Sequence, residues 1–319
     1  MNRNSFIVVF LLALSLVGFF LIKPFIHWNK GEQIENSGFK GNYYQAKNTQ
    51  ESKIVIVLGG GGFSDYWAEE FSNLGYSALS LPYHRQKGLP DLIERIPLEY
   101  FEKAMDWISS KNPHSKKLFI LGASTNAELA LLLASKFPKK VKGVIAICPS
   151  SVTWSNTVFP WSSNEVMSKW TLYGEDLPFV AMKKIESQGG GLLETLPYWN
   201  SGLNDTFQID EATIKVESIN GPILLITPED DTVWPSKRMS KMIESRIKKH
   251  AFTHTFTNLV YPNAGHLISA QYHKSFTDEK GEMYIDGVKH QFDFGGTPKG
   301  NLKAQLESRI AIVKFIQNQ

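Results

Sequence analysis

Three side chains in this sequence have the types and surroundings needed for nucleophilic catalysis: Ser124, Asp231 and His266. Ser124 stands in "LFILGASTNAELALLLASKF" (118 to 137), between a strand-like run and an apolar helix-like run, where a sharp turn would lift its hydroxyl above a sheet. A serine hydroxyl is too weakly acidic to attack a carbonyl unaided, so it requires a histidine base and a carboxylate to orient that base. "NLVYPNAGHLI" places His266 in a glycine-bearing loop after a strand-like run, and "LLITPEDDTVWP" places acids immediately after another. The chain's other histidines fall in helix ends, exposed loops or the N-terminal stem. Asp231 is followed three and four residues on by Trp234 and Pro235, as where an acid loop enters its helix; Asp230 and Glu229 are the neighbouring alternatives.

A nucleophile of this kind needs amides to receive the negative charge that develops on the substrate oxygen. Thr125 N–H, at the start of the helix after Ser124, is one candidate. "LGGGGFSDYW" offers the second from among Gly61, Gly62, Phe63 and Ser64, because glycines let bare backbone approach a substrate. The usual elbow reads G-x-S-x-G, whereas this chain reads Gly122-Ala123-Ser124-Thr125-Asn126. Asn126 tolerates turn geometries better than most residues, and its amide is a candidate substrate contact. Ser-Thr-Asn is also an ordinary helix start, so a plain capping role for Ser124 is the competing reading.

These residues must be held by regular elements. "KIVIVLGGGG" (53 to 62) is a β-branched run entering a tight turn, as a strand buried on both faces would read. "YSALSLPY", "KLFIL", "VKGVIAICPSS", "GPILLIT" and "THTFTNLVYP" repeat the strand pattern. Between them Phe101, Ala104, Met105 and Ile108 recur at helical spacing, as do Met239, Met242, Ile243 and Ile247, and then Leu302, Leu306, Ile310 and Val313. The alternation predicts an α/β fold, with a mostly parallel sheet covered by helices on both faces. Residues 152 to 215 break it and carry Trp154, Trp161, Trp170 and Trp199, which suggests a cap. Those rings either wall a pocket for an apolar ligand or fill the cap's own core. As pocket walls, the candidates are Trp154, Trp161 and Trp170, with Trp234 and Asn126 beside them.

Composition sets outer limits. At 319 residues and 42% apolar, the chain is long enough for one large domain with an insertion. A net charge of +3 with scattered lysines gives no clustered footprint for nucleic acid. The glycine run lacks the spacing of a phosphate-binding loop, His250 and His254 lead into a strand rather than line a helix, and no cofactor or metal is expected. The single cysteine, Cys148, ends an apolar strand and reads as a buried thiol. Phe6 to Ile22 is an unbroken apolar run between Arg3 and Lys23. As a helix it spans roughly 25 Å, enough for a single-pass membrane anchor with modest bilayer adjustment, and no small-x-small cleavage site follows it. The expected organisation is an anchor or signal segment over 1–23, a linker and leading edge strand over 24–50, and the main domain over 51–319.

The chain resembles the catalytic domain shared by acyl-CoA thioesterases and bile acid-CoA:amino acid N-acyltransferases, a branch of the α/β-hydrolases near the dienelactone hydrolases. The resemblance runs from about Lys53 onward and rests on "VLGGGGFSDYWAEEFSNLGYSALSLPYH", "GLPDLIERIPLEYFEKAMDWI", "AELALLLASKFPKKVKGVIAICPSSVTW", "INGPILLITPEDDTVWPS", "YPNAGHLI" and "FGGTPKGNLKAQLES". It implies the α/β-hydrolase fold, Ser124 as nucleophile, Asp231 as orienting acid, His266 as base, and a small-molecule acyl thioester as substrate. It also implies hydrolysis or acyl transfer; the acyltransferase branch carries cysteine in the elbow, so serine here favours water as acceptor. Residues 24–50 are too few for the β-sandwich that precedes this domain in mammalian members. Asn126, in place of glycine, is the departure from the family pattern.

Overall fold

Side chains alternate across a strand, and in the run Lys53–Leu58 they sort into two cores. Val55 and Val57 face one hydrophobic cluster, and Ile54, Ile56 and Leu58 face the other. Such a strand is stable only inside a sheet covered on both sides. The computed structural model describes residues 31–46, 53–115, 117–156, 165–182, 189–269, 280–285 and 287–319. Its strands are β1 (Glu32–Ile34), β2 (Gly41–Tyr44), β3 (Lys53–Leu58), β4 (Ser77–Leu81), β5 (Ile96–Pro97), β6 (Lys117–Ala123), β7 (Val141–Ile147), β8 (Trp170–Leu172), β9 (Glu175–Asp176), β10 (Gly191–Leu193), β11 (Ile223–Pro228), β12 (Phe256–Tyr261), β13 (Lys280–Ile285) and β14 (Val288–Asp293). Its helices are α1 (Gly62–Asn73), α2 (Leu98–Lys111), α3 (Thr125–Lys136), α4 (Leu196–Gly202), α5 (Thr206–Ala212), α6 (Ser236–Lys249) and α7 (Pro298–Gln317).

Eight strands form the main sheet in the order β1-β2-β4-β3-β6-β7-β11-β12. From β4 to β12 all neighbours are parallel, while β1 and β2 add an antiparallel edge. The chain thus has the α/β-hydrolase architecture. Phe71 of α1 and Phe315 of α7 pack on one face, and Phe101 of α2, Leu129 of α3 and Ile247 of α6 on the other. α3 is buried nearly all round, as its sequence predicts, with Glu128 inside along with the leucines. The run read as a polar linker contains a strand, because β1 pairs with β2 along the sheet margin.

The segment expected as a cap is tied to distant parts of the chain. β8 pairs with β5 and β9, and β10 pairs with β14, which itself forms a hairpin with β13. Its rings are core: Trp154 and Trp170 are fully buried and Trp199 nearly so. The pocket-wall expectation is therefore corrected for Trp154 and Trp170, whose surfaces are consumed by packing; Trp161 lies outside the described residues. The apolar run Phe6 to Ile22 also lies outside them. Among the described residues no helix is long and apolar enough to cross a membrane.

Candidate active site

The residues singled out above stand where strands of the sheet end. At the end of β6 the chain turns through Ser124, whose φ of 58° lies in the left-handed region that a non-glycine residue rarely adopts. The turn is held by Ser124 N–H donating to Ile147 O at 2.8 Å, and it requires Gly122, because a Cβ there would lie 1.9 Å from the Asn126 carbonyl oxygen. α3 starts immediately afterwards, so the Thr125 N–H sits at the first helical position with no carbonyl one turn back to receive it.

His266 follows β12, and its Nε2 lies 3.0 Å from Ser124 Oγ. Its Nδ1 lies 2.9 Å from Asp231 Oδ2. Asp231 follows β11 and is buried, and its oxygens are fully engaged. Oδ1 accepts from Val233 N–H (2.9 Å) and Trp234 N–H (3.2 Å), while Oδ2 also accepts from the Ser236 hydroxyl (2.5 Å). Those donors fix the orientation of the carboxylate. Asp230, the alternative acid, is exposed, and its backbone N–H donates to Ala264 O at 2.9 Å.

A segment far along the chain clamps the acid and base loops together. His266 N–H donates to Phe294 O at 2.7 Å, Gly265 N–H donates to Asn301 Oδ1 at 2.7 Å, and bridges join Asp231 to Gly295 and Ala264 to Gly296. Gly295 combines a φ of 76° with a position whose Cβ would be 1.9 Å from Asp230 O, so only glycine fits. Behind the relay, Cys148 directly follows β7, fully buried, with its Sγ 3.8 Å from His266 O. Burial, and then the charge of Asp231, push its thiol pKa well up. Cys148, Asp231 and His266 bring three potential ligand atoms within 4.8 Å of one another, but the protonated thiol and the occupied carboxylate make this a packed layer behind the relay.

The glycine run after β3 supplies the other side of the site. Gly59, Gly60 and Gly61 all have positive φ, Gly61 precedes α1, and a Cβ at Gly61 would meet nothing within 4 Å. The candidate amides of Gly62 and Phe63 thereby open the first turn of α1, where helix N–H groups lack intrahelical partners. Ser64 is buried and its hydroxyl donates to Leu58 O at 3.0 Å, so its side chain anchors the loop.

Asn126 does not stand as a free substrate contact: its Oδ1 accepts from the Tyr83 hydroxyl at 2.7 Å. Its Nδ2 rests against the backbone of Gly59, where a Cβ would come within 2.6 Å of it. The departure from the glycine pattern is thus accommodated on the opposite loop, by a glycine there. Trp234, also expected as a substrate contact, is buried and packs edge to face with His266, ring centroids 6.1 Å apart. It continues into Trp199 (5.7 Å) and Trp154 (4.8 Å), a row of rings from the cap core to the relay. Residue-level reading missed this row because Trp234 and the cap tryptophans are far apart in sequence.

The chain is 28% identical over 272 residues to rat mitochondrial acyl-coenzyme A thioesterase 2, covering 84% of this chain and 55% of the relative. It is 26% identical over 300 residues to mouse acyl-coenzyme A amino acid N-acyltransferase 2, covering 90% of this chain and 65% of the relative. The chain therefore spans between about half and two thirds of the length of these relatives. Among solved structures, a putative dienelactone hydrolase from Klebsiella pneumoniae aligns with TM-score 0.45 and 15% identity over 74% of this chain and 87% of that one. The family profile described as BAAT / Acyl-CoA thioester hydrolase C terminal matches residues 96–319, from the strand before α2 through the clamp and α7, and the chain belongs to that family.

Proposed function

We propose that this protein is a serine hydrolase of acyl thioesters. The observation that carries the reading is the continuous contact Ser124 Oγ to His266 Nε2 (3.0 Å) and His266 Nδ1 to Asp231 Oδ2 (2.9 Å) at the carboxyl edge of the sheet. His266 Nε2 takes the Ser124 proton as Oγ attacks the thioester carbonyl, and Asp231 stabilises the imidazolium that forms. The oxyanion is received by Thr125 N–H and by an amide of the Gly61-to-Ser64 turn, each donor contributing about 3 kcal/mol in the transition state. Collapse of the tetrahedral intermediate expels the thiol with the proton from His266 and leaves an acyl-Ser124 ester. His266 then deprotonates a water that attacks this ester and frees the acid. The names of the curated relatives support a coenzyme A thioester as substrate. Turnover of acyl-CoA and p-nitrophenyl esters by wild type and Ser124→Ala tests the reading: loss of turnover in the variant supports it, and equal rates refute it.

The apolar run Phe6 to Ile22, flanked by Arg3 and Lys23, supports a further element of the proposal, a single-pass anchor that holds the hydrolase at a membrane. Retention of the full chain in the membrane pellet after an alkaline carbonate wash is the expected result; release into the supernatant would overturn it.

A further inference from the structure

One turn into α3, Glu128 is completely buried, and its backbone N–H donates to Ser124 O at 3.2 Å. Its carboxylate is served entirely by the cap. Oε1 accepts from the Trp170 indole N–H at 2.8 Å and from Trp154 N–H at 3.4 Å, and Oε2 accepts from Lys169 Nζ at 3.1 Å. Both charged side chains of this pair are fully buried. Among the described residues, the titratable groups facing Glu128 are Lys169 from the cap and Tyr83 from the turn after β4, whose phenol pKa is pushed up by burial and then by the Glu128 charge. The same Tyr83 hydroxyl holds Asn126 in the elbow.

A buried ion pair gives little net stability compared with apolar residues of the same volume, so its place beneath the elbow calls for another reason. The amino end of α3 carries the positive potential that Thr125 N–H would offer to an oxyanion. A bare carboxylate within that first turn would occupy the potential and repel a second anion.

Building on the hydrolase reading, we propose that Lys169 is a positioning residue of the active site: by neutralising Glu128 it keeps the amino end of α3 receptive to the oxyanion, and by the same bond it fixes the cap over the elbow. Ser124 and Glu128 stand four positions apart, a rise of about 6 Å along a helix. At an effective dielectric constant of about 20 to 40, an unpaired Glu128 charge at that distance would slow kcat by about 10- to 100-fold.

The test is the pH dependence of kcat in Lys169→Met, with Lys169→Gln as a second variant that keeps a donor for Oε2, rates being taken per serine titrated with a fluorophosphonate. Without its cation, Glu128 binds a proton at lower pH and ionises as pH rises, since burial already pushes its carboxyl pKa up. The expected result is a new fall in kcat on the alkaline side that wild type lacks, and its removal in Lys169→Met/Glu128→Gln, where no charge remains. A uniform loss at every pH, or a double variant no better than the single, would overturn the proposal and leave Lys169 a structural tie. Absence of Ser124-dependent turnover in wild type would instead overturn the hydrolase reading, and this proposal with it, so the two failures are distinct.

Discussion

The contact between Tyr83 and Asn126 gives a prediction whose size follows from the structure. Tyr83 is 1% exposed, its hydroxyl lies 2.7 Å from Asn126 Oδ1, and burial and the Glu128 charge keep it protonated, so it is a donor at any working pH. Asn126→Ala strands that donor in a site closed to water, and a buried unsatisfied group costs about 1–3 kcal/mol. Tyr83→Phe removes the donor but leaves a half-buried amide that water can partly satisfy, so it costs about 1 kcal/mol. The double variant has no stranded group, and its loss should fall short of the sum of the single losses by about 1 kcal/mol or more. Urea midpoints of the four proteins measure this coupling. Single losses that add to within about 0.3–0.5 kcal/mol would refute the reasoning, because they would mean the bond holds nothing the two residues do not hold separately. Asn126→Gly, which restores the usual elbow glycine, should destabilise by at least as much as Asn126→Ala, since it strands the same hydroxyl and loosens a helix start.

Asp231→Asn should leave the fold intact but present a donor where His266 Nδ1–H needs an acceptor, lowering kcat by up to about 10⁴-fold while fluorophosphonate labelling of Ser124 slows in parallel. An unchanged rate would remove Asp231 from the relay. Cys148 should resist a thiol-directed disulfide reagent in the native protein and react fully in denaturant, since its thiol is buried and its pKa raised; rapid native labelling would show that the layer behind the relay opens.

The main sheet was legible because most of its parallel strands are largely apolar runs, and the three relay residues were legible because Ser124 directly follows one and Asp231 and His266 lie in the short loops after two others. Between Asp230 and Asp231 the sequence offered only spacing; burial and four hydrogen bonds single out Asp231. The cap was opaque for a physical reason. β8 and β10 are three residues long and pair with β5 and β14, remote partners that no local period announces. The hairpin of β13 and β14 escaped notice likewise. Asn126 looked like an obstacle to catalysis from its own neighbours alone, because the glycine that makes room for it lies 67 positions earlier, at Gly59. Glu128 left a signal that went unused: an acid in an otherwise apolar helix, "AELALLLAS", must find a buried partner.

The clamp built by Phe294, Gly295, Gly296 and Asn301 has a bearing on how the molecule comes into being. A ribosome delivers the nucleophile roughly 170 residues before it delivers the strap that draws acid and base together, so a nascent chain carries its serine unarmed. On the hydrolase reading, competence would wait for the clamp and α7 to dock, and a half-made copy would be silent toward esters around it.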